Sequence, residues 1–154
     1  MHTGLFLLIA AAAMLTGIGA GWRAPRIWLA VTLSSLGALL VAALAVLGGG
    51  ADWVWHSSFA VGGECLYLRL DAISALFLLL LCVVGGAATV YGREYWADAA
   101  HPRSARAGRV WWGVLLFNLG GVLLASNGLH FLIGWELFTL AAYFLITLDR
   151  QRRE

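Results

Sequence analysis

Glu136 is the residue in this chain whose position most needs a chemical reason. It stands inside HFLIGWELFTLAAYFLI, a run otherwise apolar enough to cross a membrane. At a helical rise of about 1.5 Å per residue it sits about 10 Å below the start of that run. An ionised side chain at the centre of a bilayer costs on the order of 3 kcal/mol. A carboxyl group out of water favours its neutral form, and that makes proton uptake and release its natural chemistry. Positions 132, 136, 139 and 143 share one helical face, so Thr139 and Tyr143 extend a polar stripe from Glu136. Such a stripe is expected to point into protein, with Glu136 against the third or fourth helix. Two roles fit the acid. It takes part in moving protons, or it is a structural acid hydrogen-bonded between helices.

The other candidates have weaker warrants. His130 lies at the mouth of the same run, and an imidazole there suits a proton relay or a simple surface hydrogen bond. Asn118 lies mid-run in the preceding segment, close to Gly113, Gly120 and Gly121. Small residues let backbones approach and an amide can bond across the contact, so packing is its favoured role and a supporting place in a hydrated path the lesser one. Asp71, with Ser74 three residues on, reads as a helix N-cap, and Arg69 is placed to pair with it. Both are structural assignments. Cys65 and Cys82 have no metal-binding spacing and are not expected to form a disulfide. No phosphate-binding loop, dinucleotide fingerprint, nucleophile elbow or metal cluster occurs, so no cofactor, metal or catalytic residue is expected.

The elements that must hold these residues are membrane helices. Of 154 residues, 62% are hydrophobic and 12% charged. A soluble domain carries roughly a quarter charged residues. A helix needs about 20 mostly apolar residues to span a bilayer. The stretches 3–21, 27–47, 70–91, 110–126 and 129–148 qualify. The fold expected is all-α, a multi-pass bundle of five transmembrane helices. The last two should form an antiparallel hairpin about the tight turn Ser126-Asn127-Gly128. The first run lacks a basic leader, which argues against a cleaved signal peptide.

Arginine supplies every basic side chain, and nine of the ten lie on alternate connections; Arg69 is the exception. The positive-inside rule then places the N-terminus outside and the C-terminus in the cytoplasm. Arg23, Arg26, Arg93, Arg103, Arg106, Arg109, Arg150, Arg152 and Arg153 all count toward that side. The segment 92–109 reads as a solvated linker near lipid headgroups. The segment 48–69 carries the alternating CLYLRL and is weakly strand-like, suited to a short hairpin on the outer face. The net charge of +2 is too small and too divided to argue for nucleic acid.

Three phrases support a family. LRLDAISALFLLL, then VYGREYW, then FNLGGVLLASNGLHFLIGWELFTLAAYFLI resemble the antiporter-like membrane subunits. That family includes the proton-pumping subunits of NADH–quinone oxidoreductase, Mrp-type sodium/proton antiporter subunits and membrane subunits of group 4 hydrogenases. LLFNLGGVLLASNGL and LITLDRQRRE look closest to hydrogenase-4 component B and formate hydrogenlyase subunit 3. The likeness covers about 66–154.

The resemblance implies that Glu136 is the fifth-helix acid of a proton-translocation path. In the family that acid couples to a lysine on the seventh helix; this chain contains no lysine. It implies that 1–154 is the N-terminal transmembrane segment of a longer subunit. It also implies a bacterial or archaeal inner-membrane location, and partners among the membrane and peripheral subunits of a respiratory or hydrogenase complex. Any redox centre would belong to those partners. The alternatives are an Mrp-type antiporter subunit and a non-transporting scaffold or assembly protein.

Overall fold

In the computed structural model, residues 2–148 are described, and Arg150, Arg152 and Arg153 of the topology argument lie outside them. Five helices form: α1 (His2–Gly21), α2 (Pro25–Leu47), α3 (Ala72–Tyr95), α4 (Ala105–Leu124) and α5 (Gly128–Thr147). Each is long and apolar enough to cross a membrane. The chain is a multi-pass helical membrane protein. Between α2 and α3 stand two strands, β1 (Trp53–Val61) and β2 (Glu64–Leu70).

The helices outrun the apolar windows. α3 continues through Val-Tyr-Gly-Arg-Glu-Tyr, and α4 starts at Ala105 rather than 110. The polar linker is therefore shorter than expected. Hydropathy measures only what hydrocarbon will accept, whereas helical hydrogen bonding continues wherever backbone groups need partners. Pro25 opens α2, where its missing N–H costs nothing.

α1 packs on α2, α2 on α3, α1 and α3 on α4, and α5 on α4 alone among its stronger contacts. Leu7, Met14, Leu36, Leu78 and Leu116 are buried in the core that α1 to α4 share. Lipid tails are as apolar as leucine, so these helices need close fit rather than water exclusion. Glycines provide it. A Cβ at Gly113 would fall 2.8 Å from Ile18 Cγ1 across the α1–α4 contact. A few polar bonds tie neighbours together: Ser35 Oγ donates to the Ala10 carbonyl at 2.7 Å, and Trp112 Nε1 donates to Thr89 Oγ1 at 2.9 Å.

The hairpin is antiparallel, with Trp53 opposite Leu70 and His56 opposite Tyr67. Its turn is Gly62-Gly63, at φ +64° and +89°. A two-residue turn with both φ positive matches the right-handed strand twist, and glycine occupies it without steric cost. The register shifts between His56 and Ala60, and Ser57 Oγ fills the irregularity by bonding Phe59 and accepting from the Leu66 amide. The hairpin leans on the α4–α5 turn. The Ser126 amide donates to the Tyr67 carbonyl at 2.9 Å, and Asn127 Nδ2 to Glu64 Oε2 at 3.2 Å.

Asp71 caps α3, its Oδ1 accepting the Ser74 amide at 2.8 Å. Arg69 lies 3.8 Å from Asp71 and 2.7 Å from Asp52. The Ser74 amide bond holds the Asp71 carboxyl below the usual carboxylate range, and Arg69 adds to the effect. Asp52 in turn raises the Arg69 guanidinium. Asp71→Ala is expected to cost about 1 kcal/mol, the usual worth of an N-cap. The Asp71 contribution is present above the unfolded value. It is lost as pH falls through the lower folded one, so the wild-type advantage should be full at pH 7 and fade below about pH 3.9. Thermal unfolding of both proteins across that range checks it; a pH-independent gap would contradict the charged-cap account.

Candidate functional site

α5 presents two faces of opposite character. One carries His130, Gly134, Phe138, Ala141 and Leu145 and turns toward α4. Ala141 is fully buried there, and a Cβ at Gly134 would meet Val122 Cγ2 at 3.0 Å. At the end of this contact away from the α4–α5 turn Trp111 stacks on Phe144 with centroids 4.3 Å apart. The other face carries Leu132, Glu136, Thr139 and Tyr143, and all of these are exposed.

This corrects the expectation that Glu136 faces the third or fourth helix. Glu136 lies two residues from Gly134, about 200° around the helix. Close crossing of two helices selects the side with the least side-chain bulk. Gly134 and Ala141 supply that side, so the polar stripe turns away from α4. Thr139 Oγ1 donates to its own helix at the Trp135 carbonyl, 2.8 Å away. The ion pairs among the described residues join Arg69 to Asp52 and Asp71, and Arg109 to Asp98; Glu136 belongs to none of them.

The supporting candidates are placed apart from that carboxyl. Asn118 Nδ2 donates to the Val114 carbonyl one turn back on α4, at 2.8 Å, and its own backbone oxygen lies beside Gly134. Asn118 thus belongs to the packing side of α5. His130 lies in the first turn of α5, whose cap is Asn127; Asn127 Oδ1 accepts from the Leu129 amide at 2.8 Å. Both His130 ring nitrogens are buried without a hydrogen-bond partner among the described residues. His130 is on the α4-facing stripe, so it does not continue the Glu136 face.

An apolar groove of about 470 Å³ opens between α1, α2, α4 and the hairpin, lined by Met14, Leu39, Trp53, Leu116 and Leu124 among others. None of the ionisable candidates lines it. Cys65 is exposed and Cys82 buried, both as free thiols, and among the described residues no cluster of metal-binding side chains occurs.

One charged residue has a place that the reading of arginines as loop charges missed. Arg109 is only 2% exposed. Its Nε donates to the Gly21 carbonyl, Nη1 to the Trp96 carbonyl and Nη2 to Asp98 Oδ1, each at 3.0 Å. Its own carbonyl accepts from Trp28 Nε1 at 3.1 Å. One guanidinium thus joins the end of α1, the end of α3 and the start of α4. The clue is Arg109's register with Ala105, Gly113, Leu116 and Gly120, the buried stripe of α4.

No family model matches the sequence. Relatives do. The chain is 32% identical over 119 residues to NADH-quinone oxidoreductase subunit N of Polaromonas naphthalenivorans (strain CJ2), a match covering 72% of the chain and 23% of that protein. It is 26% identical over 95 residues to a protein described as antiporter subunit mnhA2 of Staphylococcus aureus (strain MRSA252), covering 60% of the chain and 11% of the relative. Its fold matches a chain of the membrane-bound sulfane sulfur reductase, an archaeal respiratory membrane complex. That match has a TM-score of 0.68 and 25% identity, and covers 92% of this chain and 23% of the other. The chain spans less than a quarter of the length of each of these relatives. With its five membrane helices, the chain matches the antiporter-like membrane subunits of respiratory and antiporter complexes over part of those relatives' length.

Proposed function

We propose that this segment serves the proton-translocating membrane part of a respiratory complex, with Glu136 as an intramembrane carboxylate on the proton path. The observation that carries this reading is the exposed stripe of Glu136, Thr139 and Tyr143 on α5. Ionised in lipid, that group is unfavourable by about 3 kcal/mol. Covered by further helices of the same assembly, it becomes a buried, exchangeable proton site. The phrases LLFNLGGVLLASNGL and LITLDRQRRE favour a hydrogenase-4 type complex. Partner subunits supply the electron transfer. The test is Glu136→Gln in the intact complex, with assembly and proton translocation measured separately. A scaffold would keep both; a translocation subunit keeps the first and loses most of the second.

The likeness to the Staphylococcus aureus antiporter subunit favours one second reading, a sodium/proton antiporter subunit of the Mrp type. Replacing sodium by choline separates them, since only the antiporter stops moving protons.

The proposed setting is the bacterial or archaeal inner membrane, with the N-terminus outside. Its support is the arginine distribution. A cysteine placed beside Arg103 and the native exposed Cys65 of the hairpin, each as the single cysteine of its variant, are expected to react with an impermeant maleimide from opposite sides, the hairpin from outside. Labelling of both from one side would overturn the topology.

A further inference from the structure

We propose that the end of the bundle formed by the α1–α2 turn and the end of α3 binds anionic phospholipid headgroups through Arg23, Arg26 and Arg93. These side chains are exposed, and none belongs to an ion pair among the described residues. Packing brings them to one rim. Gly21 abuts the backbone of Arg109 and Val110 at the start of α4, and Trp28 reaches across to Gly92 on α3. Arg23 and Arg26 therefore flank a turn wedged between the other two helices, with Arg93 one residue beyond the Trp28 contact. Exposed Arg103 and Arg106 add to the same end. Two carboxylates stand nearby. Asp98 is held by Arg109, and Glu94 is exposed and in no ion pair. The rim is strongly cationic.

The exposed aromatics decide between a lipid and an acidic protein as the occupant. Trp22 is 51% exposed, Tyr91 69% and Tyr95 42%, all beside these arginines in the sequence. Indole and phenol rings settle at headgroup level. Long arginine stems can lie along the apolar surface while their guanidinium groups reach the phosphates. A rim carrying both kinds of side chain matches the boundary where hydrocarbon meets anionic headgroup.

The test uses the chain in its native assembly, in nanodiscs. Electron paramagnetic resonance compares the immobilised fractions of spin-labelled phosphatidylglycerol and phosphatidylcholine. Phosphatidylglycerol is expected to associate several-fold more strongly. That preference should collapse in 1 M salt, where screening shortens to about 3 Å. It should also fall stepwise toward equal association of the two lipids as arginines are removed in the series Arg93→Gln, Arg26→Gln and Arg23→Gln. The exposed positions make folded variants the expectation; should the triple variant fail to assemble, Arg93→Gln alone and the salt series decide the matter. Equal association of the two lipids, or a preference untouched by the substitutions, would overturn the proposal. So would a preference that appears only after peripheral subunits are stripped away, because the rim would then be a protein-docking face.

Discussion

Glu136→Gln is expected to remove most proton translocation from the assembled complex while leaving the complex intact. Glutamine keeps the size and hydrogen-bonding reach of the acid but cannot release a proton. Positioned acid–base groups contribute about 10²–10⁴ in rate, so the loss should be at least about tenfold. Assembly should survive, because no ion pair among the described residues involves Glu136 and because a neutral amide is no more costly to bury than a carboxylate. Glu136→Asp keeps the proton but withdraws it by one methylene, and an intermediate rate is expected. Proton flux is read with a pH-sensitive dye in inverted vesicles, beside the electron-transfer rate of the same preparation. Wild-type flux in the glutamine variant, with assembly unchanged, would make Glu136 a structural acid. Thr139→Val probes the same face more gently. Its hydroxyl already bonds its own helix, so a small effect is expected.

The largest effect on folding is expected at Arg109. Arg109→Ala leaves the Gly21 and Trp96 carbonyls without their donor and frees Asp98. Hydrogen bonds from a charged donor are worth about 1.5–3 kcal/mol each, and partial rearrangement of water into the gap recovers some of this. A net cost of about 3 kcal/mol is expected, enough to lower the yield of folded protein. Lysine should not rescue. Its single ammonium cannot reproduce three donors fixed in a plane and aimed at three acceptors. Asp98 is about half exposed, so Asp98→Asn should cost no more than about 1 kcal/mol. Unfolding by denaturing detergent, followed through tryptophan fluorescence, compares the three variants. If Asp98→Asn proves as damaging as Arg109→Ala, the ion pair and not the carbonyl clamp holds this end together.

Several features of the protein were legible from residues close together in the chain. Apolar runs identify the five helices because hydrocarbon admits only a backbone that satisfies its own hydrogen bonds. Asp71 and Ser74 mark the start of α3 because the cap closes within three residues. Alternation in CLYLRL points to the strand, and Gly62-Gly63 suits the tight turn because the strand twist demands positive φ there.

The tertiary structure alone decided which side of each helix finds a neighbour. The polar stripe of α5 looked like the inward one, since a carboxyl avoids lipid. The side bearing Gly134 and Ala141 meets α4 instead, because close backbone approach is summed over the whole crossing and outweighs one side chain's preference. The same competition turned Arg109 from a presumed loop charge into a buried clamp. Its three acceptors lie up to 88 residues from it in the chain, and no local pattern brings them together. Hydropathy, caps and turns are local properties, so the sequence by itself determined which segments are membrane helices and where α3 is capped, but not how far α3 and α4 run past their apolar windows. The partners of Glu136 and Arg109 depend on how helices distant in the chain share space, and that is a property of the folded bundle.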